Sequence, residues 1–229
     1  VVYGFLDRTD AGEALARALL HYRGRPDVIV LGLARGGVPV AFEVASKLQL
    51  PLDVMVVRKL GLPAQPEVAM GALASGGGRV LNEDVLRYLP DRETVLHLVQ
   101  ERELLELTRR EHSYRGDRGA LQLSGLTVIL VDDGLATGAT MAAAVQSARY
   151  LGARRVVVAV PVASAAARAR ITQIADEMLC LQTPTGFSAV GEWYRQFGQV
   201  DDDTVTDLLS QVQGGVQVAS APVTVAQAS

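Results

Sequence analysis

Cysteine is nearly absent: Cys180 stands alone among 229 residues. One thiol builds neither an internal disulfide framework nor a thiolate metal cluster, and it fits a reducing compartment. Histidine is almost as scarce. His21, His97 and His112 have no metal-ligating neighbours at useful spacing and are expected on the surface. No apolar run approaches the ~20 residues that span a bilayer. The opening residues VVYGFLDRTDAGEAL have no basic segment leading into an apolar one. A cytoplasmic location without a membrane partner is therefore expected. No basic tract stands out against the formal net charge of −3, so a nucleic-acid partner is not implied.

What the chain does have is core. A hydrophobic content of 49% with 21% charged residues suits one compact domain carrying at most a small appendage. Residues 28–33 read as a buried strand, ARGG as a turn and 38–48 as a helix, and the next apolar run, LDVMVVRKLG, reads as a second strand. Such a βαβ unit with nearly continuous apolar strands implies an α/β fold, its parallel sheet covered on both faces. Further strands are expected at 127–132, 154–162 and 176–181, with helices at 139–151 and around ARARI. Asp10 reads as the cap of a first helix running from Ala11 to about Tyr22.

Between these units the text changes. LPAQPEVAMGALASGGGRVLN predicts a mobile loop near 61–78 with a short hairpin beside it. A helical insertion is expected near 83–118, built on a long solvent-edged helix at 91–112. After a core of 1–182, residues 183–211 gather most aromatics of the second half into a small hood, where Asp201, Asp202 and Asp203 read as a helix start. Residues 212–229 have little core-forming pattern and are expected to be a linker remnant or a loosely held tail.

The chemistry concentrates in VILVDDGLATGAT. An apolar strand runs into Asp132 and Asp133 and then into a turn of small and hydroxylic residues. In a parallel sheet, ligands bind beyond the carboxyl ends of the strands. Backbone N–H groups from Gly134 to Thr140, at a helix N-terminus, suit a phosphate, and Thr137 and Thr140 add hydroxyl donors. Two aspartates facing that phosphate would repel it, so they need another task. Carboxylates accept hydrogen bonds from a sugar diol, and a divalent cation would further neutralise the site. The spacing fits a phosphorylated sugar with free hydroxyls.

This stretch resembles the PRPP-binding motif of type I phosphoribosyltransferases. The likeness runs over roughly 3–209 through DRTDAGEALA, LARGGVPVA, VRKLGLP, VDDGLATGATM and F-x-x-VG-x-WY, as in free-standing bacterial phosphoribosyltransferase-like proteins. It implies a Rossmann-like parallel core with a hood. It also implies that Asp132 and Asp133 hold the ribose hydroxyls and that Gly134, Ala136, Thr137, Gly138, Ala139 and Thr140 form the 5-phosphate loop. Mg²⁺ would arrive bound to PRPP and meet the two aspartates indirectly. Enzymes acting on 6-oxopurines carry a third aspartate where this chain has Ala136, so hypoxanthine or guanine use in that manner is not expected.

On the pyrophosphate side, Arg35 offers a planar cationic fork, while Gly36 and Gly37 permit close backbone approach. The resemblance makes Ala34, Arg35, Gly36 and Gly37 the pyrophosphate loop, with a cis or strained peptide at Ala34–Arg35. Arg58 and Lys59 end the second expected strand and either reach the same crevice or snorkel at its edge. Glu67 is a candidate for proton handling at the base, or a surface glutamate. Arg102, Arg109, Arg110 and Arg115 read as a solvated helix face, unless Arg110 or Arg115 swings over pyrophosphate on closure. For base stacking, Phe187 and Trp193 are the candidates, with plain core packing as the competing role for Trp193. The implied reaction moves the phosphoribosyl group of PRPP to a nucleobase-like acceptor in a homo-oligomeric enzyme. The alternative is a regulator that binds PRPP or a nucleotide without turnover.

Overall fold

A computed structural model of the chain describes residues 4–213, apart from the side chains of Pro66, Glu67, Asp117 and Gln213. The central sheet is parallel and five-stranded, in the order β2-β1-β6-β7-β8. Its strands are β1 (Val28–Leu33), β2 (Leu52–Met55), β6 (Thr127–Val131), β7 (Arg155–Val162) and β8 (Glu177–Gln182). Every residue of β6 is buried, as a strand covered on both faces requires. One face carries α1 (Arg8–Ala18), α2 (Gly37–Leu48) and α7 (Asp202–Gln213), packed through Leu15, Val44, Leu48 and Leu209. The other carries α5 (Ala139–Tyr150) and α6 (Ala165–Thr172), packed through Met141, Val145 and Ile171.

From β1 the chain first moves outward to β2, then returns to the other side of β1 with β6. Gly32 pairs with Val131 in that register, so the two strands end side by side. The order reverses at this point, and the loops leaving β1 and β6 diverge around a crevice. That relationship positions the site.

Three expectations need correction. The first helix begins at Arg8 rather than Ala11, because Asp7, not Asp10, is its cap: Asp7 Oδ1 accepts the Asp10 N–H at 2.9 Å. LDVMVVRKLG is not one strand. At Val56, the N–H donates to Ser75 Oγ and the carbonyl accepts the Ser75 N–H, each at 2.9 Å, which ends β2 and starts a new sheet. Finally, the Pro- and Gly-rich stretch is an antiparallel sheet of β3 (Val57–Leu62), β4 (Gln65–Ala74) and β5 (Gly78–Leu81). Its glycines serve close packing: a Cβ on Gly78 would stand 2.6 Å from the Ser147 amide nitrogen of α5.

This small sheet has its own core. Leu60 and Met70 pack with Leu86 of α3 (Glu83–Leu86) and Val99 of α4 (Arg92–Arg115). The tail expected at 212–229 lies outside the described residues, except that Val212 and Gln213 end α7. No helix among the described residues is long and apolar enough to cross a membrane.

Candidate active site at the carboxyl ends of β1 and β6

Asp132 and Asp133 follow β6 directly, and the apolar strand carries them into partial burial. Burial pushes the Asp132 carboxyl well above the usual carboxylate range, and the neighbouring Asp133 charge pushes it further. Asp133 is raised too, first by burial, but the charge and hydrogen bond of Arg8 oppose the shift. The Asp133 N–H donates to Asp132 Oδ1 at 2.9 Å. Two adjacent, partly buried carboxyls with acceptor capacity left over form a site that gains by receiving hydroxyl groups.

The following loop is anchored rather than free. Leu135 is buried and pairs with the end of β7, its N–H donating to the Val162 carbonyl at 3.0 Å. That bond removes one amide from the expected phosphate cradle. Ser164 Oγ donates to the Ala136 carbonyl at 2.7 Å. Ala136 and Thr137 therefore stand exposed on a fixed turn. Gly138, with φ of 73°, turns the chain into α5, whose first residues are Ala139 and Thr140. The N–H groups of that first helical turn have no intrahelical acceptor of their own.

Opposite this loop lies the turn Ala34–Gly37, whose Ala34–Arg35 peptide is cis. Gly36 touches Asp133, and a Cβ on Gly37 would meet the Val131 carbonyl oxygen at 2.5 Å. The two motifs are thus in direct contact. Arg35 is partly exposed and lies 3.8 Å from Asp202 at the start of α7. The Tyr114 hydroxyl donates to the same carboxylate, and burial together with that bond pushes Tyr114 up to about 12.

Other expected members are placed elsewhere. Arg58 is held by Glu103 of α4: Arg58 Nη2 lies 2.7 Å and Nε 2.9 Å from Glu103 Oε2. Lys59, the next residue on the strand, points to the opposite face and is exposed, with no ion pair among the described residues. Nothing is described for the Glu67 side chain, whose backbone lies in β4. Arg115 is not positioned to swing over pyrophosphate. It is buried on Asp53 at 3.0 Å, beside a cleft of about 520 Å³ lined by Pro26, Val28, Leu52 and Leu121 at the amino ends of β1 and β2. Arg110 donates to Glu106 on its own helix at 2.7 Å, and Arg109 and Arg110 together pull Glu106 down to about 2.

In the hood, the structure separates the two stacking candidates. Trp193 is only 9% exposed and packs with Phe5, Ala11, Val162 and Tyr194, so its faces are covered and it serves as core. Phe187, half-buried at the edge of that cluster, remains the stacking candidate.

Three side chains in contact with Asp133 or with one another escaped the sequence reading as neighbours of the acidic pair. Arg8 reaches Asp133 from α1, with Nη2 at 2.8 Å and Nε at 2.9 Å from Oδ2. Tyr194 donates its hydroxyl to the Asp133 carbonyl at 2.6 Å. Phe197 stacks on Tyr194 with 5.0 Å between ring centroids and carries the Arg8 guanidinium 4.0 Å above its own ring. Arg8 lies within DRTDAGEALA, but nothing in its spacing to Asp133 signals contact.

The arrangement pairs a cationic turn with an acid-led loop at the switch point of a parallel sheet, and the comparisons agree with it. Residues 7–196 match the model of the phosphoribosyl transferase domain. The chain belongs to the phosphoribosyltransferase family. A relative from Mycobacterium tuberculosis (Rv0571c), whose phosphoribosyl transferase name is itself provisional, is 48% identical over 224 residues, 95% of this chain and 50% of its own length. A counterpart from a second strain (MT0597) matches equally well. The chain thus spans about half the length of these curated relatives. The crystal structure of TT1426 from Thermus thermophilus is 45% identical and superposes with a TM-score of 0.77, covering 91% of this chain and 98% of that one.

Proposed function

We propose that the chain transfers the 5-phosphoribosyl group of PRPP to a nucleobase-like acceptor and releases pyrophosphate. The observation that carries this reading is the contact of Gly36 with Asp133, which joins the cationic Ala34–Gly37 turn to the paired carboxyls of Asp132 and Asp133. The ribose hydroxyls would donate to the two aspartates and the 5-phosphate would rest on the turn from Gly134 to Thr140. Pyrophosphate would take the Ala34–Gly37 turn, with Arg35 leaving Asp202 for the phosphate oxygens. A ring nitrogen of the acceptor then forms a bond to the sugar C1 carbon as the bond from C1 to the pyrophosphate oxygen breaks, and the proton that nitrogen carried passes to solvent. The leaving group keeps that electron pair, and Arg35 stabilises the charge that grows there. Phe187 is the proposed surface for the flat acceptor.

Among the described residues no three His, Cys, Asp or Glu side chains converge on one point. The Asp132–Asp133 pair would be the protein's contribution to a metal, a donor set that fits Mg²⁺ carried by phosphates and retaining waters. Bound there with PRPP, Mg²⁺ would neutralise phosphate charge. The same reading includes self-association, for which exposed Leu98, Leu104 and Leu105 of α4 supply an apolar surface.

The deciding experiment measures pyrophosphate release from PRPP and Mg²⁺ across a panel of purine and pyrimidine bases, with Asp132→Asn/Asp133→Asn as control. Release that needs one base and vanishes in the control supports the transferase and names its acceptor. Tight PRPP binding with no release for any base would leave a PRPP-sensing protein instead.

A further inference from the structure

We propose that Arg8 is a positioning residue for the sugar site, holding Asp133 in the orientation that accepts a ribose hydroxyl and tying that carboxylate to the hood. This inference rests on the transferase reading of the site. It goes beyond it by giving a role to a side chain outside both phosphate loops and the acidic pair.

The geometry is specific. Both Arg8 donors that reach Asp133 converge on one oxygen, Oδ2, and leave Oδ1 free of the guanidinium. A cation placed to block the carboxylate would engage both oxygens through the parallel fork that arginine favours. This side-on arrangement anchors one oxygen and presents the other. Gly36 packs against Oδ2 as well, so the anchored oxygen is enclosed from two sides. The side chains of Arg8 and Asp133 are 13% and 14% exposed, a setting in which a displaced carboxylate is not simply replaced by a solvated one.

Arg8 is itself fixed on every side. Its remaining terminal nitrogen, Nη1, donates to the Gly198 carbonyl at 2.8 Å, and its guanidinium lies over Phe197. The backbone beneath is locked to the hood: the Phe5 N–H donates to the Trp193 carbonyl at 2.7 Å, and the Arg195 and Gln196 N–H groups donate to the Phe5 and Leu6 carbonyls at 2.9 Å. From the opposite direction Tyr194 holds the Asp133 carbonyl. The segment 4–8 and the hood therefore form one clasp whose charged tip is Arg8 and whose target is the second acid of the motif. A hood over the acceptor and an acid under the sugar must be registered to each other, because small misplacements of reacting groups are costly. Arg8 makes that connection with a charge-assisted hydrogen bond.

The test is calorimetric titration of wild type, Arg8→Met and Arg8→Lys with two probes. Ribose 5-phosphate carries the diol and the 5-phosphate; Mg²⁺-pyrophosphate carries neither sugar hydroxyl. Arg8→Met is expected to weaken ribose 5-phosphate by about 10- to 100-fold, a range set by the cost of misplacing a site group, and to leave pyrophosphate binding unchanged. Arg8→Lys, which keeps the charge but loses the fork, is expected in between. In an Asp133→Asn background, Arg8→Met should add no further loss for ribose 5-phosphate. Equal or tighter ribose 5-phosphate binding by Arg8→Met would make Arg8 a plug and overturn the proposal. So would an equal loss for both probes, or an undiminished loss in the Asp133→Asn background, since either marks a general structural role. Wild type that binds neither ribose 5-phosphate nor PRPP removes the transferase reading, and this inference with it.

Discussion

Gly36 and Asp133 touch across the crevice between two loops that are almost a hundred residues apart in the chain. A Cβ on Gly36 would stand 2.9 Å from Asp133 Cγ and closer still to Oδ2. The missing side chain is therefore what lets the Ala34–Gly37 turn and the acidic pair lie against each other.

Gly36→Ala should accordingly expel the Asp133 carboxylate from its place beside Arg8. We expect loss of PRPP and ribose 5-phosphate binding, with a destabilisation of about 1–3 kcal/mol, the range for overpacking a filled site. Titration and thermal melting of the variant check this; unchanged affinity would show that Asp133 does not contact the sugar.

Asp132 gives a pH-dependent prediction with a defined sign. Its folded-state pKa lies well above the ordinary 3.8, so between the two values the native state holds a proton that the unfolded chain has released. Below pH 3.8 both states are protonated and the shift costs nothing. As the pH rises toward the folded-state value the native state is progressively disfavoured. Asp132→Asn should therefore melt higher than wild type, with a gain that is absent below pH 3.8 and grows as the pH rises above it, while ribose 5-phosphate binding falls. A gain of constant size across that range would assign the effect to something other than this carboxyl.

Glu103 is buried beneath Arg58 and also accepts from Arg102. Its removal leaves Arg58 without an acceptor between β3 and α4. Glu103→Ala should cost about 1–3 kcal/mol, less than the ~3–5 kcal/mol for breaking a fully buried pair because Arg58 is partly exposed. Urea unfolding measures it, and a change within experimental scatter would mean that the pair adds nothing to the union of helix and hairpin.

Arg115 supplies the contrasting case. It is locked to Asp53 at the amino end of the sheet and donates to the Gly119 carbonyl. Arg115→Met should lower the melting temperature, with a loss below the ~3–5 kcal/mol of a broken buried pair, because Asp53 keeps the Val54 N–H at 2.8 Å and Arg118 at 3.9 Å. PRPP affinity should not move. A selective loss of pyrophosphate binding without destabilisation would instead bring this residue back to the site.

The amino-acid sequence determined the parallel core, the acid-led loop after β6 and the glycine turn after β1, because each is a local pattern. An apolar run followed by small residues and a helix start carries its structural instructions within a dozen positions. The same local logic failed for the stretch after β2, where Pro and Gly suggest mobility but the buried Val56–Ser75 bonds and the approach of Gly78 to α5 build a sheet. It left Trp193 open between stacking and core packing, because its burial depends on Phe5 and Val162. It left Arg58 open between crevice and edge, because its orientation is set by a glutamate 45 residues away. Only the tertiary structure decided that Arg8 meets Asp133 across 125 residues of chain. An ion pair of that separation has no period or spacing; it exists because the clasp between segment 4–8 and the hood brings α1 to the end of β6.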